Sequence, residues 1–539
     1  MSQTGGQDRS LHGRVWGKVC LHLNGLGLAS SVWALERSGA FDRLAASAAP
    51  LPLAGLAQGC GLRQGYLHLA CKLLASQGLT RCPGGAGHPQ AAAELTGLGR
   101  AWLAALPAYH GALAVLDLAQ GLGAWLEGGP APPGAAAGGQ GQEPAAGPLA
   151  TEARAHVRGG LVGAVMWHFS RLGLWEYLEG QGADLAGLPA NAEALRLGLE
   201  ALAAEGWAWL RDGRAGLTEE GRLARAYAPQ YFAPVSYLPT FAAAPDLLAG
   251  KSPRFDLAPD GQGRERHLDR ALDIAHSGQV FRATCRQPFL ETVLPLFQEP
   301  GLAAQPTHVV DTGCGDGTLL LELYQAVRSQ TPRGRHLERH PLVMVGAEFN
   351  PQAGQIAQER LSRAGVPHVM MFGDIADPDG LAAGLAQRGI DPQGVLHVSK
   401  SVLHNRAWRP ATGPQPDLPE PPPPSAAVFL APGGELIAPR DLARNLAATL
   451  RAWLPQAARH GLVVIEAHTV DPEAAAPLRA RHIITSLDAY HGYSHQYLVE
   501  AEVQRWAARA AGFATASRRD LGQAMVGRPI MTVDHLRPA

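Results

Sequence analysis

The sequence predicts an α/β protein in which a doubly wound, mainly parallel sheet follows two mainly helical modules. From residue 308 onward, short apolar stretches alternate with helical patterns, which is typical of a doubly wound sheet. Before that point the patterns are mostly helical. Two similar motifs, LTGLGR at 95–100 and LTEEGR at 217–222, each follow a predicted helix, which indicates that one element is used twice.

The composition of the chain excludes several classes of protein. A length of 539 residues predicts more than one domain. Lys and Arg number 46 against 47 Asp and Glu, so no basic excess points to nucleic acid. Six cysteines without a C-x-x-C pair favour neither a zinc site nor a disulfide framework and suit a reducing compartment. Without a signal core or an apolar window of about 20 residues, we expect a cytoplasmic protein with no membrane span.

The element order divides the chain into four regions. These are an N-terminal helical module (1–126), a Gly/Pro/Ala linker (127–148), a second helical module (149–260) and the sheet domain (261–539) with a Pro-rich insert (409–425). In both modules the order helix, hairpin, LTxxGR helix resembles a winged helix. Because the segment carries no basic stripe, we expect a lid or scaffold, including a contact between two copies of the chain, rather than DNA binding.

Within the sheet domain, apolar stretches bounded by turn residues predict the strands, and amphipathic stretches predict the helices between them. Strands are predicted at 308–311, 342–347, 367–372, 394–399, 461–467 and 529–535, and helices at 318–328, 351–364, 379–388, 440–459 and 498–512. In the helical segment before them, residues 276–278 interrupt the pattern. They form either a cover over a ligand or a plain helix–helix turn.

A glycine turn follows the first of these strands. Asp311 closes the strand, and Gly313, Gly315 and Gly317 precede a helix. Glycines let the backbone turn sharply and approach a ligand, and a helix N-terminus offers N–H groups and a positive dipole end. The turn therefore predicts an anionic or carboxylate-bearing cofactor, which is either a dinucleotide or S-adenosylmethionine (SAM).

The neighbouring strands decide between these cofactors. Glu348 ends the second strand, about thirty residues after the glycines, and suits the ribose hydroxyls of either cofactor. Asp374 and Ile375 end the third strand, where an acid beside an apolar residue suits adenine. The turn also has the pattern D-x-G-x-G-x-G rather than G-x-G-x-x-G. We therefore predict SAM, bound by Asp311, Gly313, Gly315, Gly317, Glu348, Asp374, Ile375 and Ser399.

These motifs resemble class I SAM-dependent methyltransferases, with a Rossmann-like fold. The segments 401–406 (SVLHNR), 464–469 (VIEAHT) and 488–497 (DAYHGYSHQY) are similar to a narrower group, the C-methyltransferases of polyketide synthase loading modules of the apratoxin, gephyronic acid and saxitoxin type. This resemblance covers roughly residues 265–539 and implies methylation of the α-carbon of a malonyl group on an acyl carrier protein. The chain departs from the group at Leu403, where Asp is frequent, and in its Pro-rich insert.

The histidines after the fourth and later strands are the candidate catalytic and metal residues. Neutral imidazole titrates near working pH, so His404 is predicted to bind substrate or act as a general base. Arg406 is predicted to hold a carboxylate or a phosphate, or to form an ordinary ion pair. His468 ends a buried strand at the edge where such sheets bind ligands. His491, Gln496 and His468 are candidate ligands of a mononuclear iron or manganese ion, against the alternative of ordinary hydrogen-bonding residues.

The sequence thus predicts a SAM-dependent methyltransferase that C-methylates a malonyl or β-keto substrate carried on an acyl carrier protein, or a small molecule. Two alternatives stay open. One is a small-molecule O-methyltransferase with a histidine base and no metal. The other is a SAM-binding regulator that uses its winged helices on DNA.

Overall fold

The computed structural model describes residues 10–135, 147–180, 182–251, 265, 267–410 and 420–539. Parts of the predicted linker, of the module boundary near 260 and of the Pro-rich insert lie outside these residues. The chain forms two compact units. The first comprises residues 1–273, 432–436 and 471–494, and the second comprises 274–431, 437–470 and 495–539.

The first unit is mainly helical and uses one order of elements twice. The first set is α1 (Leu11–Arg37), α2 (Ala40–Ala46), β1 (Leu51–Pro52), α3 (Leu53–Cys60), α4 (Gln64–Ser76), β2 (Thr80–Arg81), β3 (Ala92–Leu95), α5 (Gly97–Trp102), a 3₁₀ helix (Leu103–Tyr109) and α6 (Ala112–Leu126). The second set is α7 (Pro148–Arg171), α8 (Trp175–Leu178), β4 (Ala183–Asp184), a 3₁₀ turn (Leu185–Gly187), α9 (Ala192–Ala204), β5 (Ala208–Arg211), β6 (Arg214–Leu217), α10 (Glu219–Ala226), α11 (Pro229–Ser236) and α12 (Leu238–Leu248).

Each set contains a small antiparallel sheet beside a threonine-capped helix. The strand orders are β1-β3-β2 and β4-β6-β5. In the second hairpin, Asp212 and Gly213 both have positive φ, as a tight two-residue turn requires. The predicted double use of one element is present in this unit, whereas its identity as a winged helix stays a prediction.

The second unit contains a seven-stranded sheet with the order β14-β15-β13-β10-β7-β8-β9. Its strands are β7 (His308–Thr312), β8 (Val343–Ala347), β9 (His368–Met371), β10 (Leu396–Lys400), β13 (Leu462–Ala467), β14 (Phe513–Leu521) and β15 (Met531–Pro538), with β11 (Phe429–Leu430) and β12 (Leu436–Ile437) outside it. The five strands from β13 to β9 run parallel, β15 runs antiparallel to its neighbours β13 and β14, and β14 therefore has the same direction as the five. The predicted doubly wound α/β fold is therefore confirmed.

Helices cover this sheet. They are α14 (Arg286–Val293), α15 (Thr318–Gln330), α16 (Pro351–Arg363), α17 (Pro378–Ala386), α18 (Pro439–Ala452), α21 (Ala501–Ala511) and α22 (Gln523–Val526), while α19 (Pro472–Ala475) and α20 (Ile484–Tyr493) belong to the first unit. Helix α13 (Arg270–Val280) crosses the boundary and continues through a π-helical turn at Phe281–Cys285 into α14. Two apolar clusters pack around the sheet, so that strands such as β13 are buried along their whole length.

One expectation about this region needs correction, and one strand was not predicted. Residues 276–278 form no helix–helix turn, since they lie inside α13. The strand β14 was not predicted, because its alternation is weak and most of its residues are at least partly exposed at the sheet edge.

Among the described residues, no single helix is long and apolar enough to cross a membrane, although the bent pair Gly97–Tyr109 and Ala112–Leu126 meets the criteria together.

Candidate active site

The glycine turn between β7 and α15 forms the centre of the candidate cofactor site. Gly313, Gly315 and Gly317 have φ values of 77°, 55° and 74°, which side chains with a Cβ rarely adopt. Gly317 is the N-cap of α15, so the first N–H groups of the helix face the turn. A Cβ at Gly313 would lie 2.4 Å from a methyl of Val402. The turn therefore depends on glycine for both its backbone conformation and its packing.

Glu348 is held at the turn by backbone amides. Its Oε2 accepts a hydrogen bond from the Gly315 N–H at 2.8 Å, and its Oε1 accepts one from the Asn350 N–H at 2.9 Å. Each carboxylate oxygen can accept a further hydrogen bond. The carboxylate is therefore fixed in position with acceptor capacity remaining, as the predicted ribose contact requires.

Asp311 is a buried carboxyl group at the end of β7. It is 1% exposed, and its Oδ1 has no hydrogen-bond partner. Burial, assisted by the neighbouring Glu348 carboxylate, raises the pKa of Asp311 to about 8. The buried hydroxyls of Thr312 and Ser399 also lack partners. Such unsatisfied polar atoms around a glycine turn fit a polar, partly cationic cofactor such as SAM.

Asp374 and Ile375 lie after β9, as predicted. The Asp374 Oδ1 accepts from the Ala376 N–H at 2.8 Å, which fixes the loop. Ile375 is 3% exposed, and its carbonyl accepts from the indole of Trp453 at 3.0 Å. The pair thus presents one acid and one apolar residue at neighbouring positions.

A segment of α13 lies over the glycine turn. A Cβ at Gly278 would meet the Asp316 Oδ2 at 2.5 Å, so this glycine allows the close contact. The neighbouring Ser277 hydroxyl accepts from Lys400 Nζ at 3.0 Å. Ser277, Gly278, Lys400 and the glycine turn line one cavity. This supports the interpretation of residues 276–278 as a cover over a ligand.

His404 forms a close pair with Glu466. His404 lies on the 3₁₀ turn after β10, and Glu466 lies near the end of β13. The His404 Nδ1 lies 2.5 Å from the Glu466 Oε1. Burial acts to raise the pKa of Glu466, but the charge and hydrogen bond of His404 outweigh it, so the pKa of Glu466 is lowered. An ionised Glu466 fixes the tautomer with the proton on Nδ1 and makes Nε2 the basic nitrogen.

His468 is held by hydrogen bonds at both ring nitrogens. Its Nδ1 lies 3.2 Å from the Val499 carbonyl, and its Nε2 lies 2.9 Å from the Thr532 hydroxyl. The side chain is 0% exposed, and burial lowers its pKa. Because both nitrogens are engaged, this arrangement supports neither the predicted catalytic role nor the predicted role as a metal ligand.

Arg406 is buried beside His404. Its Nη1 donates to the Leu403 carbonyl at 2.7 Å, and its Nε donates to the Asn445 side chain at 2.9 Å. Burial lowers its pKa to about 10, and its Nη2 has no hydrogen-bond partner. Arg406 therefore braces the turn that carries His404, and the predicted surface ion pair is wrong because the guanidinium is buried and makes no salt bridge within the described chain.

His491 and Gln496, the remaining predicted metal ligands, belong to different units. His491 lies on α20 in the first unit, where its Nδ1 is 2.7 Å from the Leu487 carbonyl. Gln496 lies in the second unit and is 7% exposed. Within the described ranges, no three His, Cys, Asp or Glu side chains are grouped to hold a metal ion. The metal site of His491, Gln496 and His468 therefore stays a prediction.

Two residues of the site were missed by the sequence reasoning. Glu466 lies in the segment 464–469, which resembles the C-methyltransferase group. Its pairing with His404, however, depends on the neighbouring parallel strands β10 and β13. Lys400 is the last residue of β10, at the same sheet edge as Ser399. A polar residue at the carboxyl end of a buried strand was the available signal for both.

Comparison with known proteins shows which part of the chain is similar to a known family. Residues 265–522 match the family model of the AprA MT2-like methyltransferase domain. The 2-ketoarginine methyltransferase of Streptomyces arginensis is 32% identical over 184 residues, which cover 32% of this chain and 47% of that protein. The match thus spans about half the length of this relative.

Solved methyltransferase structures are also similar. The mitomycin 7-O-methyltransferase MmcR aligns with a TM-score of 0.40 and 14% identity over 71% of this chain and 96% of its own. The carbon methyltransferase CurJ aligns with a TM-score of 0.32 and 13% identity over 70% and 91%. These identities and TM-scores are too low to carry an activity over to this chain.

Proposed function

Since residues 265–522 form a SAM-dependent methyltransferase domain, we propose that the protein methylates carbon next to a carbonyl group in natural-product biosynthesis. The acceptor is a malonyl or β-keto group on an acyl carrier protein. The pairing of His404 with Glu466 carries the proton-removing step of this proposal, because an acceptor of this kind must lose a proton before it takes the methyl group. The name of the 2-ketoarginine methyltransferase, a relative that acts on a keto compound, supports a carbonyl-activated acceptor.

The residues of the chain divide this task. SAM, when bound, supplies an electrophilic methyl group. Glu348 and the glycine turn would hold its nucleoside end, and the buried carboxyl of Asp311 would be available to its cationic part. His404 removes the acceptor proton at Nε2, and Glu466 stabilises the imidazolium that forms. Arg406 keeps the turn of His404 in place through the Leu403 carbonyl.

Removal of the acceptor's α-proton is measured separately from transfer of the methyl group. Malonyl-loaded carrier protein is incubated in D₂O with S-adenosylhomocysteine, and exchange of its α-protons is followed by NMR. Wild type should exchange these protons, and His404→Gln should slow the exchange on the order of 100-fold or more. The matched control is His308→Gln, because His308 lies at the opposite, amino end of neighbouring β7. Control and wild type should behave alike.

Two outcomes distinguish the rivals. Methyl label that appears on oxygen, with no exchange of α-protons, contradicts C-methylation and favours the O-methyltransferase with His404 as base. Loss of activity with a chelator, restored by iron or manganese, would support the predicted metal and contradict the histidine base that works without one. The same chelator series on His468→Asn then tests whether that side chain is a ligand.

We also infer that the threonine-capped helix α10 does not bind DNA. The first turn of α10 carries Glu219 and Glu220, which would repel phosphates. A gel shift with duplex DNA at low salt should show no complex. A salt-sensitive complex would favour the regulator instead.

A further inference from the structure

The long helices α1 and α7 of the first unit share a sequence pattern. Both read His-x₂-Gly-x₇-Trp-x₃-Arg-x-Gly. The matched pairs are His22 and His156, Gly25 and Gly159, Trp33 and Trp167, Arg37 and Arg171, and Gly39 and Gly173. We call residues 11–126 repeat A and residues 148–248 repeat B, because the same order of elements follows both helices.

The capped helices of the repeats are built alike. The Thr96 hydroxyl in repeat A accepts from the Gly99 N–H at 2.9 Å and donates to the Gly78 carbonyl at 2.6 Å. In repeat B the Thr218 hydroxyl accepts from the Gly221 N–H at 3.0 Å and donates to the Gly206 carbonyl at 2.7 Å. The two repeats are therefore copies of one structural module.

The long helices cross at reciprocal glycines. A Cβ at Gly25 of repeat A would lie 2.1 Å from the His156 Cα, and a Cβ at Gly159 of repeat B would lie 2.3 Å from the His22 carbonyl oxygen. Gly25 of repeat A thus contacts His156 of repeat B, and Gly159 of repeat B contacts His22 of repeat A. The crossing requires glycine at both positions.

The same histidines make reciprocal hydrogen bonds. The His22 Nδ1 of repeat A lies 2.8 Å from the Tyr231 hydroxyl of repeat B, and the His156 Nδ1 of repeat B lies 2.6 Å from the Tyr109 hydroxyl of repeat A. All four side chains are at most 1% exposed. Each repeat therefore supplies one histidine and one tyrosine to the other.

The last helices of the repeats are exchanged. Helix α12 of repeat B packs on α1 and α4 of repeat A, and α6 of repeat A packs on α7 and α9 of repeat B. The Arg63 N–H before α4 donates to the Leu248 carbonyl at 2.8 Å, and the Asn191 N–H before α9 donates to the Leu126 carbonyl at 2.9 Å. Exchange of an identical element is the mark of a swapped dimer.

We infer that repeats A and B form an internal swapped dimer, in which repeat A occupies the place of a second copy of repeat B. Contacts in which residue i meets j and j meets i define a twofold interface between identical surfaces. Here that interface lies within one chain. The homodimer expected through the N-terminal helical region is therefore replaced by a built-in partner, and this surface is not available to another chain.

The internal pair differs from a dimer of identical copies at two matched positions. In repeat B, Arg158 and Glu205 form an ion pair at 2.6 Å. In repeat A the matched residues are Asn24 and Gln77. Asn24 donates to the His482 carbonyl at 2.8 Å, and Gln77 donates to the Thr485 hydroxyl at 2.6 Å. At these matched positions repeat A thus contacts residues 471–494, whereas repeat B forms an ion pair of its own.

The test cuts the full chain between the repeats. A protease site is placed within residues 136–146, and the protein is examined by native mass spectrometry before and after cleavage. The intact chain should have the mass of a monomer, 56.7 kDa. The two fragments should stay together in a one-to-one complex without denaturant. Separation of the fragments, or a dimer of the intact chain formed through repeat A, would overturn the proposal.

Variants of the cut protein test the reciprocity. Gly159→Ala should weaken association of the fragments by at least about 100-fold, whereas Gly55→Ala, on an open face of α3, should leave it unchanged. If Gly159→Ala does not fold, Tyr109→Phe and Tyr231→Phe replace it. These two should each weaken association by about tenfold. An effect of only one of them, or of neither, contradicts a reciprocal pair.

Discussion

Two neighbouring parts of the site, both at the carboxyl ends of the strands, are built in different ways. We call Asp311–Gly317 with Glu348 the cofactor edge, and His404, Arg406 and Glu466 the acceptor edge. At the cofactor edge, glycines set the backbone conformation and backbone amides hold the acidic side chain. Glu348 is fixed by the N–H groups of Gly315 and Asn350. At the acceptor edge, side chains fix each other, as His404 and Glu466 do across 62 residues of chain. The first edge therefore depends on conformation, and the second depends on the identity of paired side chains.

This difference has consequences for substitution. A change at the cofactor edge should alter affinity for the cofactor while the acceptor proton is still removed. A change in the pair at the acceptor edge should alter the chemical step while cofactor affinity stays the same. Four substitutions test this separation.

Glu466→Gln has the largest expected effect. The amide keeps the size of the side chain but loses the charge that stabilises the His404 imidazolium. We expect kcat to fall on the order of 100-fold, with the Kd of S-adenosylhomocysteine unchanged. Steady-state kinetics and calorimetry measure the two quantities. Glu473→Gln, an exposed change on α19, is the control, and a matching loss of cofactor affinity would break the comparison.

Glu348→Ala should affect the other edge. It removes the acceptor of the Gly315 N–H and the predicted ribose contact, so affinity for S-adenosylhomocysteine should fall roughly 30-fold, or about 2 kcal/mol. Calorimetry measures the change. Glu359→Ala, an exposed carboxylate on α16, should bind normally. Unchanged affinity in Glu348→Ala would remove this residue from the cofactor site.

Asp311 predicts a pH dependence of cofactor binding. Its pKa is raised to about 8, so the carboxyl is mostly neutral at pH 7 and ionises as the pH rises. A cationic cofactor favours the ionised form. SAM affinity should therefore rise up to about tenfold between pH 7 and 9, with a proton released on binding at pH 7. Calorimetry in buffers of different ionisation enthalpy measures this proton, and Asp311→Asn should show none.

The same group affects stability with the opposite sign. Unfolded, Asp311 ionises near its ordinary pKa of 3.8, whereas in the fold it stays protonated to about 8. Between these values the unfolded state binds fewer protons, so the contribution of this group to stability falls as the pH rises. The Tm of Asp311→Asn relative to wild type should thus increase from pH 5 to pH 8. A constant difference would contradict the raised pKa.

Thr532→Val has the smallest expected effect on catalysis. It removes the hydroxyl that lies 2.9 Å from the His468 Nε2 and 2.9 Å from the Asp534 Oδ2, so unfolding should cost about 1–3 kcal/mol less. Activity should stay within about twofold, because His468 is engaged as a structural group. Thermal denaturation and kcat are compared with Thr515→Val, an exposed change on β14. A loss of kcat as large as that of Glu466→Gln would return His468 to the catalytic site.

The cofactor edge and the fold were predictable because their signals are local. A buried strand, a glycine turn and an acid at the next strand end lie in short stretches whose backbone conformation the residues themselves require. The doubly wound sheet follows from alternation alone. Strand β14 escaped prediction because its pairing with β15, rather than its own pattern, makes it a strand.

The acceptor edge was less predictable because its roles depend on pairing. His404 and His468 look equivalent in sequence, since both follow buried strands. One pairs with a carboxylate, and the other is saturated by Val499 and Thr532. Which partner a histidine meets depends on strand order and on antiparallel β15, neither of which periodicity reveals.

The close approach of Gly313 to Val402 ties the two edges together. A Cβ at position 313 would collide with a methyl of Val402, and Ser401 beside it has a positive φ of 57°. Val402, after one strand, therefore leaves no space for a side chain at position 313, after the neighbouring strand. Among relatives, the first position should therefore stay glycine whatever side chain the second carries, because an alanine at a φ of 77° is strained even where there is space for its Cβ.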